Sequence, residues 1–401
     1  MSNQRLLAFL SAVLSFSACV GLGGSGAGTP ASASGGVSQA RAEASRRNPF
    51  LGVNFFLNPE YVANVEATAK AFPAEAETIR KVKQYPTGLW LDSIAQVANI
   101  PKWLDEAKKQ QQASGKPTLS LFIVYDMPNR DCAAKSSAGE LKVSENGVAR
   151  YRTEFIDLIA AHFAAYPDQP IVVILEPDSL PNLATNLNLP SCVEARDVYD
   201  EQVAYAIRKL GLPNVSIYLD AAHAGWLGWD DNREKAVKVF KKVLKLAGGV
   251  DTIRGFATNT SNYNHLRNTD GKKLESTNPS YNELIYVKKL AVTLAEHGIR
   301  NKGFIIDTAR NGKGNIRKVW GRWCNIKGAG LGERPRAAPE PFIDAFFWVK
   351  PPGESDGTSD PTQPRFDAEC TSNDSAPGAP QAGQWFQSYF LDLVRNATPP
   401  L

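Results

Sequence analysis

The stretch Ile171-Val-Val-Ile-Leu-Glu-Pro-Asp-Ser179 drives an apolar run straight into two carboxylates. Pro177 fixes the backbone between them and so the aim of Asp178. A carboxyl in a water-poor cleft, close to other negative charge, has its pKa raised and can donate a proton at mild pH. Asp178 is equally well placed to cap the helix that follows, as Asp-Ser pairs often do. Tyr125-Asp-Met-Pro-Asn-Arg-Asp-Cys132 sets Arg130 and Asp131 just beyond another apolar run, and Asp356 falls in the polar loop Gly353–Asp360. Each of these alone also reads as a turn aspartate. Only four histidines are present. His162 and His297 sit on helix faces or ends and read as structural, whereas His223 follows a strand and reads evenly as a substrate contact or a satisfied buried ring. No Gly-x-Ser-x-Gly elbow exists, so Ser/His/Asp hydrolysis is not indicated. No cysteine pair or histidine has metal-ligand spacing, so no metal is expected. The acid–base inventory is therefore made of carboxylates.

Tryptophan indicates what those carboxylates face. Trp90, Trp226, Trp229 and Trp323 lie at or just after strand ends or beside a cysteine, and Trp226-Leu-Gly-Trp229 occupies a Gly-rich loop. Indole faces stack on the apolar faces of pyranose rings, and their N–H groups can serve hydroxyls. Carboxylates together with exposed indoles point to a glycosidase. Trp348, inside a strand run, reads as packing.

The elements that must position these groups alternate. Strand candidates are 51–56, 88–92, 120–126, 171–176, 215–220, 253–258, 304–307 and 345–350, several of them continuous Val/Ile/Leu/Phe runs, as in a parallel sheet covered on both faces. Helical patterns lie between them. Over 151–166, Tyr151, Phe155, Leu158, Ile159 and His162 share a face; over 195–210, Tyr199, Val203, Ala206, Ile207 and Leu210 do. The lysines of 232–247 oppose an apolar stripe and read as a solvated face. Repeated βα units allow an open doubly wound sheet or a (β/α) barrel. Most strands release a carboxylate at the C-terminal end (Asp92, Asp126, Glu176, Asp220, Asp307, Glu354), which favours a barrel with one mouth. Gly328-Ala-Gly-Leu-Gly332 has the wrong spacing and context for a phosphate loop.

The chain has 401 residues, with 43% hydrophobic and 21% charged content, which excludes a disordered or collagen-like class. Its net charge is +4, with Arg5, Arg41, Arg46 and Arg47 opposed only by Glu43 in the first 47 positions. The remainder is nearly neutral, which gives no electrostatic footprint for nucleic acid or membrane. Residues 1–18 read as a secretory signal, and 19–47, rich in Gly, Ser and Ala, as a flexible tail without aromatic residues, ending in a dibasic pair. In an exported chain, Cys132, Cys192, Cys324 and Cys370 read as two disulfides, with three possible connectivities. Asn214, Asn259, Asn373 and Asn396 open glycosylation sequons.

Taken in order, 124–134, 174–180, 219–229, 321–325 and 348–360 resemble glycoside hydrolase family 6, and the resemblance runs from about Asn48 to the C-terminus. Its nearest likeness within the family is to fungal cellobiohydrolases acting from the non-reducing end. That resemblance implies an α/β fold, a distorted TIM-like (β/α) barrel of about seven strands, with a tunnel roofed by two loops. It implies hydrolysis of β-1,4-glucan with inversion, on a cellulose or cello-oligosaccharide chain, by a secreted monomer without cofactor. By motif, Asp178 resembles the general acid, Asp131 the group that raises its pKa, and Asp356 the candidate base, with Tyr125 and Ser137 at the reaction centre. Trp90, Asp92, His223, Trp226, Asn262, Trp323, Lys350 and Glu354 resemble glucosyl-binding positions, with Trp229 further out. The same resemblance pairs Cys132 with Cys192 and Cys324 with Cys370. The two roof loops, 130–150 and 350–385, look full length, which favours exo action over an endoglucanase of the same family. A non-catalytic glucan-binding protein would not need Asp131, Asp178 and Asp356 together. No cellulose-binding module is expected in the tail.

Overall fold

The computed structural model describes residues 47–268, 273 and 275–401; the expected signal and most of the expected tail lie outside these. Nine strands form one curled sheet. They are β1 (Asn54–Phe55), β2 (Leu89–Leu91), β3 (Thr118–Val124), β4 (Ile171–Leu175), β5 (Val215–Asp220), β6 (Gly255–Thr258), β7 (Gly303–Asp307), β8 (Arg336–Glu340) and β9 (Ile343–Phe347). Every pairing is parallel except that of β8 with β9. β1 and β2 lie end to end along one edge of β3, whose other edge holds β4. The parallel strands therefore fill seven positions, in agreement with the expected distorted barrel. The curl closes where Thr87 bridges Trp348 and the Gly88 N–H donates to the Trp348 carbonyl at 2.9 Å. A Cβ on Gly88 would meet Ile123 and the Val349 carbonyl, both at 2.4 Å, so closure at this seam demands glycine.

Side chains alternate across the barrel wall. Leu121, Ile123, Val172, Ile174, Tyr218, Ile305 and Phe347 fill the interior. Phe122, Val173, Leu175, Ile217, Phe256 and Ile306 face outward. Around the sheet lie helices α1 (Pro59–Ala71), α2 (Ile100–Ser114), α3 (Asp157–Ala164), α4 (Ser179–Thr185), α5 (Pro190–Leu210), α6 (Ala224–Leu227), α7 (Asp230–Ala247), α8 (Glu283–Glu296) and α9 (Gln387–Arg395). The outward strand side chains share a core with α2 to α8, while α1 and α9 contribute to a separate outer core. Strands covered on both faces explain the continuous apolar runs.

Two local expectations are corrected. The helix expected over 151–166 begins as α at Gly147–Arg150, widens into a π turn over Tyr151–Ile156 and resumes as α3. The wider turn advances the buried face to Ile156, Ile159 and Phe163, leaving Leu158 45% exposed. β8 had no apolar signal, since Arg-Ala-Ala-Pro-Glu is mostly solvent-facing and carries Pro339, a residue confined to sheet edges.

Candidate active site

Every candidate catalytic and sugar-binding residue lines one cavity of about 520 Å³ at the carboxyl ends of the strands. The carboxylates at those ends divide into two sets. Asp92, Asp131, Asp178, Glu354 and Asp356 line the cavity. Asp126, Glu176, Asp220 and Asp307 are buried instead and do not open into the mouth, contrary to the simple expectation of one carboxylate per strand end.

The buried set positions the loops. Glu176 accepts from the Asp126 and Met127 N–H groups at 3.3 and 3.1 Å and from the Tyr151 hydroxyl at 2.8 Å. Asp220 accepts from the N–H groups of Asp178 and Ala222 at 3.1 and 3.0 Å. Asp307 accepts from Ser261, Ala309, Val349 and Lys350. Glu176, Asp220 and Asp307 thus each tie the loop of their own strand to that of a neighbour, whereas the Asp126 carboxylate accepts no hydrogen bond among the described residues and faces Arg130 Nη1 at 3.6 Å. Burial, the largest influence, raises the carboxyls of Asp220 and Asp307 to about 6 and that of Glu176 to about 7, against the opposing pull of these hydrogen bonds.

Asp178 occupies the N-cap position of α4, but its side chain makes no capping bond. It lines the cavity instead. Glu176 and Asp178 flank Pro177 with φ of 47° and 67°, a left-handed turn that L-residues adopt at a cost of about 1 kcal/mol or more. Burial raises the Asp178 carboxyl well above the usual range, and the negative charges of Asp131 and Asp220 raise it further, against a hydrogen bond from Tyr125. Asp131 is raised as well, by burial above all; it accepts from the Ser137 hydroxyl and from Asn182 Nδ2, the latter at 3.4 Å.

Asp356 is held differently. Its Oδ1 accepts from Arg310 Nη1 at 2.7 Å; its Oδ2 accepts from the Tyr263 hydroxyl at 2.5 Å and from the Asn325 N–H at 2.9 Å. Arg310 is fully buried and stacks 4.3 Å from the Tyr263 ring centroid. Arg130, to which the sequence assigned no role, donates to the carbonyls of Asp92 (2.7 Å), Tyr125 (2.5 Å) and Ser137 (2.7 Å), gathering three segments of the cavity wall.

Three of the cavity indoles have their N–H groups engaged. Trp90 donates its N–H to the Val349 carbonyl at 3.0 Å, Trp226 to Thr185 at 2.8 Å and Trp229 to Thr277 at 3.1 Å, so these N–H groups are not free for hydroxyls as expected. Threonine side chains supply two of these acceptors and a backbone carbonyl the third, signals too weak to read from sequence. His223 contacts Asn262 at 3.0 Å and Asn264 at 2.7 Å; burial, reinforced by the positive Arg317, lowers it to about 3, so the ring is neutral. Burial raises Glu354 to about 7 against the attraction of Lys350, which lies 3.8 Å away. Trp320, Arg317 and Arg365 also line the cavity and were not anticipated. Trp320 stacks on Trp229 at a centroid distance of 5.2 Å.

Two loops meet above the cleft. The Lys135 N–H donates to Asp367 Oδ2 at 3.0 Å, and Arg365 Nε donates to the Ser136 carbonyl at 2.8 Å. Disulfides Cys132–Cys192 and Cys324–Cys370 anchor them, one in each loop.

A barrel mouth walled by indoles and set with several carboxyls, among them buried ones of raised pKa, defines a site of glycoside-hydrolase type. The chain matches the model of glycosyl hydrolases family 6 over residues 50–397. It is 42% identical over 357 residues to Exoglucanase 3 of Agaricus bisporus, spanning 88% of this chain and 80% of that one. To Exoglucanase 2 of Hypocrea jecorina it is 42% identical over 356 residues, spanning 88% and 75%. Cellobiohydrolase II (Cel6A) from Humicola insolens, in complex with glucose and cellotetraose, is similar in structure with a TM-score of 0.85 and 40% identity, over 88% of this chain and 100% of that chain. The chain belongs to glycoside hydrolase family 6.

Proposed function

We propose that this chain is an exported cellulase that hydrolyses β-1,4-glucosidic bonds with inversion and releases cellobiose from non-reducing ends. The observation that carries the exo reading is the latch between the roof loops, made by Lys135 with Asp367 and by Arg365 with Ser136. A roofed cleft admits a chain by its end, whereas an open one admits it anywhere along its length.

Asp178 is the proposed acid: burial and the neighbouring negative charges keep its proton available for the leaving oxygen. Asp131, with Ser137 bonded to it, holds negative charge beside the acid and stabilises the positive charge that develops on the sugar ring. Tyr125 keeps the Asp178 carboxyl oriented. Asp356 is the proposed base. A carboxylate offers about four acceptor sites, and three donors already occupy Asp356, which leaves Oδ1 one site for a water. Inversion requires room for that water between sugar and base. The faces of Trp90, Trp226, Trp229 and Trp323 carry the glucosyl units, with Asp92, His223, Asn262, Lys350 and Glu354 meeting their hydroxyls.

Digestion of amorphous cellulose tests this reading. Cellobiose should dominate the soluble sugars, with few new reducing ends left on the solid, and the first product formed should carry the inverted anomer. Arg365→Ala removes one half of the latch and should raise the proportion of insoluble reducing ends severalfold. An abundance of insoluble ends in the unaltered protein would make it an endoglucanase instead, and no sugar at all would leave only glucan binding.

A further inference from the structure

The fold treats the four Asn-x-Ser/Thr sequons unequally. Asn214 donates its side-chain amide to the carbonyls of Tyr166 at 3.0 Å, Gln169 at 3.1 Å and Phe163 at 3.5 Å, pinning the turn ahead of β4. Asn259 is wholly buried with φ of 61°, and its amide donates to the carbonyls of Asp307 at 2.8 Å and Asn264 at 3.2 Å. Asn396 donates to the Ala329 carbonyl at 3.2 Å. A glycan leaves its nitrogen one N–H of two, so at Asn214 and Asn259, whose amides serve two or more carbonyls, it would remove a donor in use and, at Asn259, force a hydrated polymer into the interior; at Asn396 the amide is half-buried and already aimed at the Ala329 carbonyl. Asn373 is different. Its side chain is exposed, and its amide has no partner among the described residues; only its backbone carbonyl is engaged, by Lys327 Nζ at 3.2 Å.

We infer that Asn373 is the single N-glycosylated residue of the folded body. The inference rests on the export reading above, because it needs a secretory pathway that supplies a lipid-pyrophosphate-linked oligosaccharide. In the transfer, Nδ2 of Asn373 loses one proton and bonds to the anomeric carbon of the reducing-end N-acetylglucosamine, while the bond from that carbon to the pyrophosphate oxygen breaks and the lipid pyrophosphate leaves. The sequon hydroxyl belongs to Ser375, which is buried and donates to the Glu369 carbonyl at 2.6 Å. Transfer therefore precedes closure of this loop, and folding decides which glycosylated chains reach the folded fraction. Asn373 lies three residues beyond Cys370 of the Cys324–Cys370 disulfide and outside the cleft lining, so a glycan there leaves the substrate path clear.

The test uses the full chain secreted from yeast behind a host export signal, with the folded monodisperse fraction treated with peptide-N-glycosidase in ¹⁸O water and mapped by mass spectrometry. The expected result is ¹⁸O-aspartate at position 373 and unlabelled asparagine at 214, 259 and 396. Asn373→Gln should lower the mass by one glycan and leave hydrolysis of soluble cello-oligosaccharides unchanged. Label at any of the other three positions in the folded fraction, or its absence at 373, overturns the inference. The export reading is checked separately, by whether the chain behind its own first residues reaches the medium.

Discussion

At the scale of residues, the site contains carboxyls that burial and neighbouring negative charge push up in pKa. As the proposed acid, Asp178 must be protonated to act. Its raised pKa keeps activity at low and mild pH and removes it as pH rises through that value. Asp178→Asn should lower kcat by about a thousandfold, within the range of a lost general acid, while calorimetry shows cello-oligosaccharide affinity preserved within a few-fold. Asp131→Asn removes the largest charge acting against ionisation of Asp178. The Asp178 pKa then falls, and the alkaline limb of the kcat/KM profile on soluble substrate should move to lower pH. A limb that stays in place or moves upward would detach Asp131 from the acid.

At the scale of elements, the buried carboxylates act as buckles between successive strand ends. Glu176 at the end of β4 holds the loop after β3, Asp220 at the end of β5 holds the loop after β4, and Asp307 at the end of β7 holds loops after β6 and β9. Short strands with loops of very different length need such ties, because sheet pairing alone does not aim a loop. Asp307→Ala leaves four backbone N–H groups without their acceptor, and a buried unsatisfied polar group costs about 1–3 kcal/mol. Denaturant unfolding should show a loss of about 3 kcal/mol or more, accompanied by weakened substrate binding, since Lys350 and Ser261 shift with their loops. A loss below about 1 kcal/mol would show that water replaces the buckle.

At the scale of the molecule, these carboxyls set a pH dependence of stability. Burial raises Glu176 and Glu354 to about 7, Glu283 to about 8 and Asp126 to about 9. Each binds a proton in the folded state that the unfolded chain has released, so its contribution is complete below the unfolded pKa and is lost as pH rises through the folded one. His223, lowered to about 3, works in the opposite sense, but only below its ordinary value of 6.5. Between about pH 6.5 and 8.5 the carboxyls act alone, so Tm should fall across that interval. Differential scanning calorimetry at the two ends checks this; an equal or higher Tm at pH 8.5 would contradict it.

Apolar runs ending in carboxylates determined a parallel barrel with one mouth, because burial of both sheet faces and the period of the chain are local properties. The long motifs around Asp131, Asp178 and Asp356 identified the family for the same reason: their chemistry lies in contiguous residues. Contacts distant in sequence were not legible. Nothing local says that Arg310 holds Asp356 or that Arg130 collects three carbonyls. Nor does it say that Thr185 and Thr277 take the indole N–H groups, or that a π turn shifts the face of the 151–164 segment so that Tyr151 meets Glu176. Asp126, Glu176, Asp220 and Asp307 looked like Asp178 in sequence, each a carboxylate near a strand end. Only the tertiary structure decided that Glu176, Asp220 and Asp307 turn inward to bind backbone, that Asp126 turns inward towards Arg130, and that Asp178 lines the cleft, because that depends on where neighbouring loops leave N–H groups and charges unpaired.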